Sequence, residues 1–137
     1  NENRIRFYFF KNGTLITSLC CHGHNIHVLK LLKVTNYLAS GSYDSTVRIW
    51  NPSNGVFIKT LNEQNQVYAL EELDNGNLVT GIYTGNINVW NVASGSIVRS
   101  LLGHTNAINH LNLIDSNNLA SSAGNGLVII WNPNIGN

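Results

Sequence analysis

Leu38-Ala39-Ser40-Gly41-Ser42-Tyr43-Asp44-Ser45-Thr46-Val47-Arg48-Ile49-Trp50 is the stretch on which the fold turns. It holds two short runs, Leu38 to Gly41 and Val47 to Trp50, joined by small polar residues. Neither run has the length or the 3.6-residue period of a helix, so both read as strands. The stretch leads into Trp50-Asn51, and the same pair returns as Trp90-Asn91 and Trp131-Asn132, at steps of 40 and 41 residues. A period of that size marks a stacked or radial repeat of one supersecondary unit.

The units share one grammar. The first gives Val28 to Leu32, Tyr37 to Gly41, Val47 to Trp50 and Val56 to Leu61. The second gives Val67 to Leu70, Leu78 to Thr80, Ile87 to Trp90 and Ile97 to Leu101. The third gives Ile108 to Leu111, Leu119 to Ser121 and Val128 to Trp131, with no fourth run after it. These are β-branched and aromatic segments bounded by Asn, Gly, Ser and Pro. Asn12-Gly13, Asn54-Gly55, Asn75-Gly76 and Asn125-Gly126 suit the positive φ angles of two-residue hairpin turns, which predicts an antiparallel meander. Ile5 to Tyr8 and Thr14 to Leu19 repeat the grammar of a third and fourth strand. The expected division is therefore 1–21 (the last two strands of a preceding unit), 22–61, 62–101 and 102–137 (a unit lacking its fourth strand).

Composition narrows the function classes. Of the 137 residues, 43 % are hydrophobic, enough to fill a core, and only 11 % are charged, with a formal net charge of +1. No basic stripe suggests nucleic acid, and no apolar run reaches the roughly 18 residues of a membrane helix. Phe7 to Phe10 is too short and too aromatic for a secretion signal and reads as strand core. Cys20 and Cys21 are adjacent, point to opposite faces on a strand, and are expected to be reduced, which favours a cytoplasmic or nuclear protein over a secreted one. The chain has no methionine and begins at Asn1, which suggests a piece of a longer protein.

These features resemble the WD40 repeat family over nearly the whole chain. Gly-His occurs as Gly23-His24 and Gly103-His104, two periods apart, and the quoted stretch closely matches the family's second and third strands. The resemblance implies an all-β, WD40-type propeller segment of about three four-stranded blades plus two extra N-terminal strands. It also implies a buried polar tetrad in each good blade. Carried over, the tetrad is His24, Ser40, Asp44 and Trp50 in blade 1, and His104, Ser121, Asn125 and Trp131 in blade 3. Blade 2 retains only Thr80 and Trp90, with Glu63 and Thr84 in the His and Asp positions, so that blade is expected to lack the network and to be the least rigid. Trp-Asn replaces the family's Trp-Asp throughout, at a position outside the tetrad.

A propeller closes with roughly 4 to 8 blades. The remaining blades are expected from a longer parent chain, or else from identical copies with Thr14 to Leu19 completing the third blade. An open arc leaves apolar faces bare, so the isolated chain is expected to associate.

The residues that could carry catalysis or bind a metal also have plain structural roles. His22 and His24 can share a strand face as metal ligands, but His24 is absorbed by the tetrad and no second ligand pair accompanies them. His24, Ser40 and Asp44 have the residue types of a triad, yet no nucleophile-elbow motif is present. Glu71, Glu72 and Asp74 read as a solvated rim without calcium-loop spacing. No enzyme activity, cofactor or metal is expected. The sequon Asn12-Gly13-Thr14 lies in a predicted tight turn and is discounted.

The family resemblance places ligands on the top face, where fourth strands lead into first strands and second into third. Pairs of residues flanking the leading apolar position of each first strand point there: His27 and Leu29, Gln66 and Tyr68, Ala107 and Asn109. So do the residues before the turn acid, Tyr43, Tyr83 and Gly124. Tyr43, Tyr68, Tyr83, His27, Gln66 and Asn109 are the candidate contacts for a protein or peptide ligand, since tyrosine offers large area and a polar tip. The expected function is a non-catalytic interaction scaffold. Two alternatives remain at this stage: a regulatory or substrate-receptor domain of a larger enzyme, such as a ubiquitin ligase or signalling ATPase, and a carbohydrate-binding propeller.

Overall fold

The computed structural model describes residues 5–8, 15–19 and 22–135, and among them every regular element is a strand. β1 (Ile5–Tyr8) and β2 (Leu15–Leu19) form a two-stranded antiparallel sheet. β3 (Ile26–Leu32), β4 (Tyr37–Ser42), β5 (Thr46–Asn51) and β6 (Val56–Asn62) form the next sheet as a simple meander. β7 (Val67–Glu72), β8 (Leu78–Ile82), β9 (Ile87–Asn91) and β10 (Ser96–Leu101) repeat it. β11 (Ile108–Asp115), β12 (Asn118–Ala123) and β13 (Val128–Trp131) form the third such sheet. Phe9, Phe10, Asn12-Gly13, Thr14, Cys20 and Cys21 lie outside the described residues.

The sheets stack face to face in chain order. One core cluster joins Ala39, Val47 and Ile49 of the first meander to Val67, Leu78 and Ile82 of the second. Another joins Val79, Ile87 and Val89 of the second to Ile108, Leu119 and Trp131 of the third. Ile5 packs with Leu38 and Trp50, placing the two-stranded sheet against the other side of the first meander. Every residue of β8 is buried, whereas Val56, Phe57 and Ile58 of β6 are exposed. Strands covered on both faces carry continuous apolar runs, and fourth strands lie at the rim.

Neighbouring sheets interlock at their second strands. A Cβ on Gly41 would lie 2.7 Å from Val67 Cγ1 of the next sheet. A Cβ on Gly81 would lie 2.5 Å from Cγ2 and 2.7 Å from Cβ of Ile108. Val67 and Ile108 are fully buried, so the leading residues of β7 and β11 each seat on a glycine of the preceding sheet. At the rim, Lys59 Nζ donates to the Ala93 carbonyl (2.6 Å) and Arg99 Nη1 to the Pro133 carbonyl (2.8 Å), one repeat apart.

Two expectations need correction. At Asn54-Gly55, Asn75-Gly76 and Asn125-Gly126 only the glycine has positive φ (71°, 82° and 82°), so these are not two-residue hairpin turns. The Gly76 N–H reaches back to the Leu73 carbonyl (2.8 Å), closing a longer turn with one left-handed residue. Nor is Glu72 part of a solvated rim. It is buried, and its carboxylate accepts the Lys33 N–H (2.5 Å) and the Val34 N–H (3.2 Å) of the preceding meander. Its neighbour Glu71 pairs with Lys30, and only Asp74 of the three acids is exposed.

Gly81→Ala should force the Ile108 contact apart and cost about 1–3 kcal/mol. A thermal melt should show a clear drop in Tm; an unchanged Tm would contradict the interlocking of second and first strands.

Candidate functional site on the top face

Each meander carries a buried polar chain that ties its strands to the loop entering the first strand. In the first, the Trp50 indole N–H donates to Ser40 Oγ (2.9 Å), Ser40 Oγ meets His22 Nε2 (2.8 Å), and His22 Nδ1 meets Asp44 Oδ2 (2.9 Å). Aspartate accepts, so Nδ1 carries the imidazole proton and Nε2 accepts the Ser40 hydroxyl. Asp44 also accepts the Gly23 N–H (2.7 Å), the Thr46 N–H (3.0 Å) and the Thr46 hydroxyl (2.6 Å). Burial opposes its charge, but the hydrogen bonds from Thr46, His22 and Gly23 outweigh that and lower its pKa to about 2. Burial also lowers the His22 pKa, against the opposing pull of Asp44, and so favours the neutral ring.

The histidine of this chain is therefore His22, not His24. His24 is exposed, and its Nδ1 accepts only the Asn25 N–H (2.8 Å). The Gly-His pair misleads because in the first meander it lies two residues nearer the first strand than in the third. Counting back four residues from the first buried or half-buried residue of each first strand gives the right set: His22 before Ile26, Glu63 before Val67, His104 before Ile108. Both nitrogens of His22 are occupied, so it does not join His24 as a metal ligand pair.

The second meander has a network after all. Glu63 is buried, and its Oε1 accepts from the Thr80 hydroxyl and from the Trp90 indole (2.6 Å). Its Oε2 accepts from Asn88 Nδ2 (2.7 Å), and Asn88 Oδ1 accepts the Ser100 hydroxyl (2.6 Å). One carboxylate thus does the work that His22 and Asp44 share in the first meander, and Thr84 stands exposed outside it.

The third meander is incomplete. Trp131 donates to Ser121 Oγ (2.7 Å), which meets His104 Nε2 (2.7 Å), but His104 Nδ1 is buried without a hydrogen-bond partner. Asn125 does not reach it. Its Oδ1 accepts the Leu127 N–H (3.2 Å), as Asp44 Oδ1 accepts that of Thr46, and the amide has no second acceptor oxygen to offer the imidazole.

The top face is built over these networks. The first strands carry a register shift between Ile26 and Val28, between Val67 and Ala69, and between Ile108 and His110. The bulged residues are His27, Tyr68 and Asn109, and a bulge re-aims its side chain. In blade 1 the leading residue is thus Ile26, so Leu29 is not the partner of His27 there. The turns between second and third strands are tied to the same loops: the N–H groups of Tyr43, Tyr83 and Gly124 donate to the carbonyls of Asn25 (3.0 Å), Gln66 (2.9 Å) and Ala107 (2.9 Å).

These ties bring the candidate residues of two meanders together. The His27 and Tyr43 rings stack at 5.1 Å, Tyr43 and Tyr68 stack at 5.1 Å, and Tyr68 meets Tyr83 at 5.9 Å. Tyr43 Oη bonds His27 Nδ1 (3.1 Å), and Tyr68 Oη donates to Gln66 Oε1 (3.3 Å). Burial, then the adjoining phenols of Tyr43 and Tyr83, raise the Tyr68 pKa above the ordinary tyrosine value. Asn109 lines, with His27 and Tyr68, a hollow of about 210 Å³ between the first strands. A larger hollow of about 440 Å³ lies at the other end of those strands, between Lys33 and Asp74.

Three outcomes follow for the networks. Asp44→Ala strands a buried imidazole N–H and should cost roughly 1–3 kcal/mol, while Asn125→Asp should gain part of that range by satisfying His104; urea titration of both variants checks the opposite signs. Burial lowers the pKa of His22 and of His104 from 6.5, so the unfolded chain takes up protons first. Stability is then complete above pH 6.5 and falls below it, with Asp44 adding a further loss between 3.8 and about 2. A Tm that held constant or rose from pH 7.5 to pH 5 would contradict the neutral assignment of both rings.

A family model described as WD domain, G-beta repeat matches residues 12–51 and 95–132. The WD repeat-containing protein 89 homolog of Dictyostelium discoideum is 27 % identical over 129 residues, which are 93 % of this chain and 36 % of that protein. Nuclear distribution protein nudF of Aspergillus niger is 36 % identical over 101 residues, 72 % of this chain and 23 % of that protein. The chain thus spans well under half the length of these relatives. The crystal structure of the computationally designed Ika4 protein superposes with a TM-score of 0.83 at 28 % identity, covering 94 % of this chain and 79 % of that one. WD repeat proteins generally act as protein-interaction scaffolds. With the repeat period, the stacked four-stranded meanders and the family match in agreement, this chain belongs to the WD40 family.

Proposed function

We propose that the chain is a non-catalytic interaction module that holds a protein or peptide segment on its top face, against His27, Tyr43, Tyr68 and Tyr83. The observation that carries this reading is the continuous row of four rings, spanning two meanders and ending on Tyr83, which is 54 % exposed. Aromatic side chains on a rigid frame give large contact area at low entropic cost. The bulges and backbone ties of the top loops fix the row before any partner arrives, which favours tight association.

The surroundings of Ser40 speak against acyl chemistry at the triad-like residues: it is fully buried, and its hydroxyl is engaged by Trp50 and His22. The greater length of the relatives supports a longer parent chain, rather than identical copies, as the source of further blades.

Partner capture by the full chain tests the reading. Proteins retained by the wild type and by Lys33→Ala, which alters the opposite end, should be lost by Tyr68→Ala/Tyr83→Ala with little change in Tm. Equal retention by the double variant would remove the top face from the account.

A further inference from the structure

The charged side chains are unevenly placed. The loops of the top face contain the carboxylates Asp44 and Glu63 and no lysine or arginine. The described cations are engaged elsewhere: Lys30 with Glu71, Lys59 on the Ala93 carbonyl, Arg99 on the Pro133 carbonyl, and the Arg48 guanidinium 5.9 Å from the Phe57 ring centre. Lys33 lines the hollow at the opposite end. Asp44 and Glu63 are satisfied by neutral donors: backbone N–H groups, hydroxyls, an amide, an indole and the His22 imidazole. The loops that carry the aromatic row thus hold two carboxylates and no lysine or arginine, while the charge of Arg48, which stands on β5 and not on a loop, acts on His22.

The row also ends in a step. Tyr83 is followed in the third meander by Asn109 and Gly124, where a further ring would stand if the pattern continued. Gly85 lets the Tyr83 turn approach the next loop closely: a Cβ there would lie 2.6 Å from the His104 carbonyl oxygen and 3.0 Å from that of Asn106. Hydrogen-bond acceptors thus lie beside the turn that carries the exposed ring.

We propose that the segment held by this face presents a cationic side chain, arginine above lysine, to Tyr83 and the acceptors beside it. The inference rests on the top-face reading. A guanidinium combines the required properties: positive charge for the carboxylate field, a flat face for a phenol ring, and several donors for carbonyl oxygens. Apolar and acidic side chains meet none or only one of these needs.

The test titrates the full chain with acetylated, amidated heptapeptides Gly-Ser-Gly-X-Gly-Ser-Gly, where X is Arg, Lys, Leu or Glu, while following tyrosine ring signals by NMR. The arginine peptide should shift Tyr83 and Tyr68 and bind about tenfold more tightly than the leucine peptide. Lysine should fall between them, and binding of both cations should weaken as salt rises. Tyr83→Phe should keep the preference and Tyr83→Ala should lose it. Leucine or glutamate peptides that bind these tyrosines as tightly as arginine would overturn the cationic assignment and leave the top-face reading standing. Failure of every peptide to move the tyrosines would count against both.

Discussion

A buried indole N–H has to find an acceptor, and this chain contains three. Trp50, Trp90 and Trp131 are each almost fully buried, and each reaches a hydroxyl ten residues earlier: Ser40, Thr80 and Ser121. An unmade bond of that kind costs about 1–3 kcal/mol. The hydroxyl in turn meets a group four residues ahead of the first strand, His22, Glu63 or His104. Third strand, second strand and entering loop are thereby held as one unit. The top face inherits its geometry from this chain, because the same loops hold the backbone ties of Tyr43, Tyr83 and Gly124.

The three units solve the same problem with different chemistry. The first uses a neutral imidazole backed by a carboxylate whose pKa lies near 2. The second uses one buried carboxylate braced by Asn88. The third leaves His104 Nδ1 without a partner, and the single acceptor oxygen of Asn125 is taken by the Leu127 N–H. The indole bond is common to all; what lies beyond the hydroxyl varies. A fully satisfied polar network adds rigidity and a half-satisfied one detracts from stability, so the third unit is the one in which a single substitution can add most.

Much of the fold is legible in the sequence because the repeat states it several times. The Trp-Asn period, the short β-branched runs and the turn residues between them fix the strands and their antiparallel order. The polar chain was less legible. Gly23-His24 copies the look of Gly103-His104, but the tie depends on distance from the first strand, which selects His22. Glu63 reads as a loss when matched to histidine. It is a replacement, and the signal for it was Asn88, a polar residue facing inward on an otherwise apolar third strand. Glu72 escaped for the same reason: a carboxylate beside two other acids resembles a rim, yet it takes up two N–H groups of the adjacent turn.

Tyr43, Tyr68 and Tyr83 could be placed on one face from their positions in the repeat, but their stacking could not, since it depends on the bulges that turn His27 and Tyr68. Glycine, in contrast, carries its meaning openly at Gly41 and Gly81, where only hydrogen fits beneath the next sheet. The most direct test of the central claim is hydrogen exchange at the three indole N–H groups, followed by ¹⁵N NMR. Slow exchange is expected at Trp50, Trp90 and Trp131 alike. Exchange of Trp90 at the rate of free indole would contradict the Glu63 network and, with it, the view that one buried donor organises every unit.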